Sequence, residues 1–277
     1  MKLYFRSFRQ VSALLAVGLV LGFFLGRVSP GWASLCFQSD LSPLPDTGFA
    51  ASAPAPSSET PDSVPDTAPE PEKWVCLTFD DGPSKTTPAV LDALRTAGVP
   101  ATFFVVATGY NDKYLPLLAD AAAAGHQIAL HSASHEYSDI YRSSDAYWKD
   151  LALLRERISP YVSVDNIHYL RFPGGSTNTV SRRYGGKGLM KQLKTEAEEK
   201  GFHWVDWNVC AEDAVGGKPS ASTIFRNVVR ETGEQTRCVV LMHDSSTTHT
   251  TAEALPDIIQ WYRDQGFVFC TVEQVLH

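Results

Sequence analysis

The sequence has no strongly basic region, no C-x-x-C pair and no internal repeat. Its net charge is −7, with 24 Lys and Arg against 31 Asp and Glu, so it lacks the basic field by which nucleic acid is gripped. Cysteine is scarce: five residues, an odd number, with no metal-type spacing among them. That excludes a zinc ribbon and a disulfide-dense scaffold. Cys76, Cys238 and Cys270 fall in apolar runs and Cys210 follows another, which suits small buried side chains. One disulfide is compatible with an oxidising compartment, but the sequence does not pair the residues. Nothing in it calls for a protein partner.

What is present is unevenly placed. Residues 1–36 carry four basic groups and no acid, and the uncharged stretch Gln10 to Gly26 follows Lys2, Arg6 and Arg9. Its apolar part, Val11 to Leu25, matches a signal-peptide core, roughly 7–15 residues, better than a transmembrane helix of about 20. Arg27 stands between this run and a small-residue site at Gly31-Trp32-Ala33, so residues 1–36 read as a signal peptide or as an uncleaved membrane anchor, with membrane contact through 10–26. Either reading sends the rest of the chain out of the cytoplasm, secreted or membrane-anchored. Residues 37–72 hold seven acids, no base and eight of the 17 prolines, and read as a disordered linker. Of the charged residues, 24 acids and 20 bases fall in 73–277, a nearly balanced region long enough for one domain with its own core.

From Lys73 the pattern alternates. Apolar runs predict strands over 74–79, 101–106, 127–130, 168–172, 202–207, 238–242 and 267–271. Between them, apolar residues at helical spacing predict helices over 87–96, 115–124, 144–158, 189–200, 220–231 and 251–265, several closed by glycine. Strand–helix alternation of this kind implies an α/β fold with a parallel sheet, open or closed into a barrel, of about seven strands.

Polar clusters sit at the C-terminal ends of these strands: Asp80-Asp81, His131, Arg171, Asp206-Trp207 and His243-Asp244. In parallel α/β architectures those ends share one face, so the clusters converge. Asp80-Asp81-Gly82-Pro83 reads as a tight turn, yet two adjacent carboxylates need a cation or a proton between them. His131 and His135 are four apart and can grip one metal, and an acidic residue from another strand end completes a His, His, carboxylate set. Zinc in such a set is hydrolytic, and Fe(II) in the same set is an oxygenase centre. Arg171-Phe172-Pro173-Gly174-Gly175 combines a cation with a backbone open to close approach by a ligand. His243 beside a carboxylate is a candidate general acid.

Taken together, Thr78-Phe79-Asp80-Asp81-Gly82, His131-Ser132-Ala133-Ser134-His135, Arg171-Phe172-Pro173-Gly174-Gly175, Asp206-Trp207 and Leu241-Met242-His243 resemble, in order, the motifs of the polysaccharide deacetylases of carbohydrate esterase family 4. The resemblance covers residues 73–277. It implies a distorted (β/α) barrel and one divalent metal, zinc first, with cobalt, manganese or nickel as alternatives. It implies that Asp81, His131 and His135 are the metal ligands, Asp80 the general base and Arg171 the group that orients it. Gly174 would offer its N–H to the oxyanion, Asp206 would pair with His243 as the acid, and Trp207 and Leu241 would line the acetyl pocket. The implied substrate is an N-acetylated polysaccharide, with the amino sugars of peptidoglycan favoured by an exported, tethered domain. O-acetyl groups of a xylan-like polymer and a non-catalytic wall-binding module are the alternatives. One departure stands out: the family's third motif often has tyrosine where this chain has Gly174, which widens or reshapes the groove beside the metal.

Overall fold

The computed structural model describes residues 72–276. The readings of 1–36 and, save for Glu72, of 37–72 lie outside the described residues. No helix among the described residues is long and apolar enough to cross a membrane.

Eight strands form one sheet, and every pairing in it is parallel: β1 Trp74–Asp80, β2 Thr102–Val106, β3 Gln127–Ser132, β4 Tyr169–Leu170, β5 His203–Trp204, β6 Val209–Cys210, β7 Arg237–His243 and β8 Val268–Phe269. The order is β5-β4-β3-β2-β1-β7-β6, with β8 added to β1. β1 is shared on one side: its start, Trp74 and Val75, pairs with β8, and its end, Thr78 to Asp80, pairs with β2. This is the α/β parallel sheet that the alternation predicts, in the distorted (β/α) barrel form that the family resemblance implies, with seven strands on the main path. The strand β6 was not expected from the sequence, because Val209-Cys210 is a short apolar pair between Asn208 and the acidic Glu212-Asp213, outside every run read as a strand.

The helices follow from local chemistry. In α1, Thr87–Ala97, Pro88 occupies the first turn, Val90 and Leu94 are buried, and Gly98 closes the helix at φ 64°. Short helices α2, Leu117–Ala123, and α3, Tyr137–Ile140, precede α4, Ser144–Ile158, whose Ser143 accepts the Ala146 N–H as an N-cap. Then come α5, Val180–Gly185; α6, Leu189–Glu199; α7, Ala221–Thr232, capped by Ser220; α8, His249–Asp264; and α9, Val272–Val275.

Side-chain alternation divides the interior in two. Val75, Leu77 and Phe79 of β1, with Ile128, Leu130, Val240 and Met242, face the helices and join the large core. Trp74 and Cys76, with Phe104, Ala129, Tyr169, Val205 and Val239, point the other way and form a smaller core inside the barrel. Further along the same inner face each ladder turns polar: Thr78 and Asp80 on β1, His131 on β3, Arg171 just past β4, and, after Leu241, His243 on β7. The register sets Thr78 beside Leu241 and Asp80 beside His243. Apolar side chains therefore close the floor of the barrel and titratable ones crown it. Four cysteines, Cys76, Cys210, Cys238 and Cys270, are buried free thiols. Burial pushes the Cys238 thiol up to about 11, so it stays protonated and inert.

Candidate active site and metal centre

Asp80 is the last residue of β1 and is 4% exposed. The next residue, Asp81, turns the chain with φ 67°, which swings its carboxylate toward β3. There Asp81 Oδ1 lies 3.3 Å from His135 Nε2 and 3.6 Å from His131 Nε2. His135 also has a left-handed backbone, φ 55°, so two of the three residues depend on a conformation that non-glycine residues rarely adopt.

These residues fit a metal ion. Their donor atoms lie within 4.8 Å of one another, the one such cluster among the described residues. Asp81 Oδ1 is buried without a hydrogen-bond partner, an arrangement that costs free energy unless a cation is held there. Ligands at about 2.1 Å in a tetrahedral set are separated by about 3.4 Å, close to both separations above. His131 Nδ1 is 2.7 Å from the carbonyl oxygen of Arg171. A carbonyl only accepts, so Nδ1 carries the proton and Nε2 keeps its lone pair, as a metal ligand requires. Burial, with His135 nearby, holds His131 below its ordinary range despite Asp80 and Asp81, which keeps it neutral. Burial alone would raise Asp81, but the His135, His131 and His243 imidazoles outweigh it and hold the carboxyl below its usual value.

Arg171 ties the floor to the crown. Its guanidinium is fully buried, stacked at 4.0 Å on the Phe104 ring. Nη1 donates to Asp80 Oδ1 at 2.7 Å and to Thr78 Oγ1 at 2.8 Å, while Nε and Nη2 donate to the carbonyls of Val205 and Asp206. One arginine thus joins β1 to the ends of β4 and β5 and fixes the free oxygen of Asp80 toward the metal residues, 3.8 Å from His131 Nε2.

His243 has a different partner from the one expected. Its Nδ1 is 2.9 Å from Asp213 Oδ1, and its backbone N–H donates to Asp213 Oδ2 at 2.7 Å. Thr251 Oγ1 holds the same Oδ2. The expected pairing of Asp206 with His243 is corrected: Asp206 accepts the Ser176 N–H at 2.8 Å and the Ser176 hydroxyl at 2.6 Å, so both its oxygens hold the loop after Gly175. The reason is the sheet order. Asp206 follows β5, at one end of the path, whereas Asp213 lies three residues past β6, the neighbour of β7. Burial opposes a charge on His243, but Asp213, by charge and hydrogen bond, and then Asp81 and Asp80 push it up to about 10. It is an imidazolium at neutral pH.

Gly174 has φ 78° and Gly175 φ 82°, conformations that glycine adopts freely. A Cβ on Gly174 would sit 3.2 Å from the Tyr137 hydroxyl, and one on Gly175 would sit 3.0 Å from the Trp207 ring. The space beside Gly174 is therefore occupied rather than opened: Tyr137, edge-on to the His135 ring, fills it. Burial and the charges of Asp81 and Asp80 push the Tyr137 hydroxyl well up, so it remains a donor. Trp207 also lies 5.6 Å from the Arg171 guanidinium, and Leu241 stands on the inner face of β7 beside Thr78.

Sequence reasoning missed two carboxylates, Asp213 and the half-buried Asp150, and gave no role to Asp244, which it had placed at a strand end. Asp213 would have been found by reading Val209-Cys210 as a strand, since it then becomes another strand-end acid. Asp244, after His243, packs its carboxylate against Gly82 and accepts the Thr87 hydroxyl at 2.5 Å. Asp150, on α4, has no sequence signal at all.

A family model described as polysaccharide deacetylase matches residues 67–189. A peptidoglycan-N-acetylglucosamine deacetylase of Bacillus cereus is 30% identical over 211 residues, covering 75% of this chain and 90% of that protein. The chain belongs to the polysaccharide deacetylase family. The catalytic domain of a peptidoglycan N-acetylglucosamine deacetylase from Eubacterium rectale has the same fold, with a TM-score of 0.68 and 37% identity over 76% of this chain and 92% of that one. A bifunctional xylanase/deacetylase of Pseudobutyrivibrio xylanivorans is 28% identical over 74% of this chain and 30% of its own length. The polysaccharide deacetylase motifs of this chain are those whose side chains converge on the crown of the barrel.

Proposed function

We propose that this deacetylase hydrolyses N-acetyl groups on the amino sugars of a polysaccharide, peptidoglycan first, using one divalent metal, zinc, held by Asp81, His131 and His135. The observation that carries the reading is the convergence of those three donors beside a buried Asp80, with His243, held by Asp213, paired to Asp80 in the sheet register. A divalent cation there supplies Lewis acidity, which activates water and polarises the acetamide carbonyl.

The chain's own residues supply the rest. Arg171 engages one oxygen of Asp80, leaving the other to take the proton of the attacking water. The Gly174 N–H donates to the developing oxyanion. His243, held by Asp213, gives its proton to the departing amine, which leaves poorly without one. Trp207 and Leu241 bound the acetyl methyl, and Asp206 acts one step back by holding the Gly174–Ser176 loop. The substrate rests on relatives named as peptidoglycan-N-acetylglucosamine deacetylases in Bacillus cereus and Listeria monocytogenes. The uncharged stretch Gln10 to Gly26 supports placement outside the cytoplasm, by secretion or through an anchor. The xylanase/deacetylase relative favours one second reading, an O-acetyl esterase on a xylan-like polymer.

The test is acetate release by the full chain, with zinc or cobalt restored, from peptidoglycan, N-acetylglucosamine oligomers and acetylated xylan in parallel. Chelator-sensitive release from the N-acetylated polymers supports the reading. Release from xylan alone replaces the substrate, and no release from a metal-loaded protein points to a wall-binding module.

A further inference from the structure

Outside the motifs, one carboxylate gathers the backbone of the metal-binding loop. Asp150, on the first half of α4, accepts the Ala133 N–H at 2.8 Å, the Ser134 N–H at 2.9 Å and the Ser132 hydroxyl at 2.6 Å. The Ser132 oxygen accepts the His135 N–H in turn, at 2.9 Å. Three consecutive N–H groups, from Ala133 to His135, are therefore bound to Asp150 directly or through one hydroxyl. Successive N–H groups pointing into one concavity form an anion-binding nest, and a side chain of the same protein fills it here.

The loop needs such a holder. His131 is fixed by β3 and by the Arg171 carbonyl, but His135 lies beyond the strand with φ 55°, a backbone state that persists only where its surroundings impose it. Asp150 touches neither imidazole. It sets the backbone from which His135 projects, and so the separation of His135 Nε2 from Asp81 Oδ1. Its helix is anchored independently, with Tyr147, Leu151 and Leu154 in the core.

We propose that Asp150 is a positioning residue for the metal centre: through Ser132 and the 133–135 backbone it pre-forms the His131–His135 pair, and the affinity for metal depends on it. This rests on the reading of Asp81, His131 and His135 as metal ligands. Groups that orient ligands in this way are typically worth about 10–100-fold in metal affinity.

The experiment measures zinc affinity by competition with a chromophoric chelator, together with thermal unfolding of the metal-free protein, for the full-length wild type, Asp150→Asn and Ser132→Ala. Asp150→Asn keeps the shape but replaces an acceptor oxygen by a donor. Ser132→Ala removes only the relay to His135. The expected result is zinc binding weakened about 10–100-fold in Asp150→Asn and at least threefold in Ser132→Ala, with turnover restored by excess zinc. A merely structural role would lower the unfolding temperature and leave the affinity of the folded protein alone. Zinc affinity within threefold of wild type in Asp150→Asn overturns the proposal; if that variant does not fold, Ser132→Ala decides by the same threshold. A wild type that binds no zinc removes the metal reading itself, and this inference with it.

Discussion

His243 Nδ1 and Asp213 Oδ1 are 2.9 Å apart, and Asp213 holds the His243 backbone N–H with its other oxygen. The pair makes His243 a cation whose charge survives well above neutrality. Asp213→Asn removes the charge that raises the imidazole. Turnover should fall by about 10²–10⁴, the usual worth of a positioned acid, and the alkaline limb of the pH–rate profile should move to lower pH. The same pair carries a stability signature. A pKa raised from the ordinary 6.5 to about 10 stabilises the fold fully below pH about 6.5 and loses that contribution as pH rises through about 10. In Asp213→Asn that decline between pH 6.5 and 10 should flatten. Asp206→Asn is the control: it should loosen the Gly174–Ser176 loop without moving the alkaline limb.

Arg171 is expected to be intolerant of any replacement. Its loss leaves Asp80 buried beside an empty guanidinium site, and breaking a buried pair costs about 3–5 kcal/mol. Arg171→Lys keeps the charge but cannot present the forked donors that reach Thr78, Asp80, Val205 and Asp206 together. Denaturant unfolding of Arg171→Met and Arg171→Lys measures this, and either variant within about 0.5 kcal/mol of wild type, the scale of an ordinary surface change, contradicts the role drawn above.

Gly82 and Asp244 form a second coupled pair. A Cβ on Gly82 would lie 2.1 Å from both carboxylate oxygens of Asp244. Gly82→Ala must displace either Asp244 or the turn that aims Asp81, at a cost of at least about 1–3 kcal/mol and with weakened metal binding. Combining it with Asp244→Ala opens the space, so the double variant should be less impaired than the single costs added together. Additive costs would mean that the close approach is relieved elsewhere.

Asp244 also predicts a pH effect of its own. Burial, opposed by the Thr87 hydroxyl and reinforced by Asp81, pushes its carboxyl up to about 7, and Oδ1 lacks a partner. A raised carboxyl favours the fold while protonated and ceases to do so as pH climbs from about 4 through about 7. Metal-free Asp244→Asn should therefore match wild type near pH 4 and exceed it by several degrees in unfolding temperature at pH 8, where about 1 kcal/mol is worth 2–4 °C. Equal unfolding temperatures at pH 8 would show that Asp244 is not held protonated.

Most of the crown was legible before the structure, because strand-end polarity in a parallel sheet is a one-dimensional signal. Asp80, Asp81, His131, Arg171 and His243 each end an apolar run, and the barrel brings those ends together. The helix over 144–158 was legible from its apolar spacing, although its cap is Ser143, one residue before the polar pair Ser144-Asp145 that the sequence offered for that role. Asp206 was given the wrong partner because β6 is an apolar pair hidden between polar residues just past the run read as one strand over 202–207, and without β6 nothing places Asp213 beside β7. Asp150 and the Tyr137–Gly174 contact were illegible for another reason. They depend on how α3 and α4 pack over the loop after β3, which no local pattern encodes.

The most direct test of the central claim is made on Asp80→Asn, measured for bound zinc and for acetate release from an N-acetylated polymer in the same preparation. Asp80 is assigned to the water and not to the metal. The account predicts one zinc per chain, as in wild type, with turnover reduced by at least about 10². Turnover within a few-fold of wild type, or loss of zinc along with activity, would contradict the division of labour between Asp80 and the Asp81, His131, His135 set.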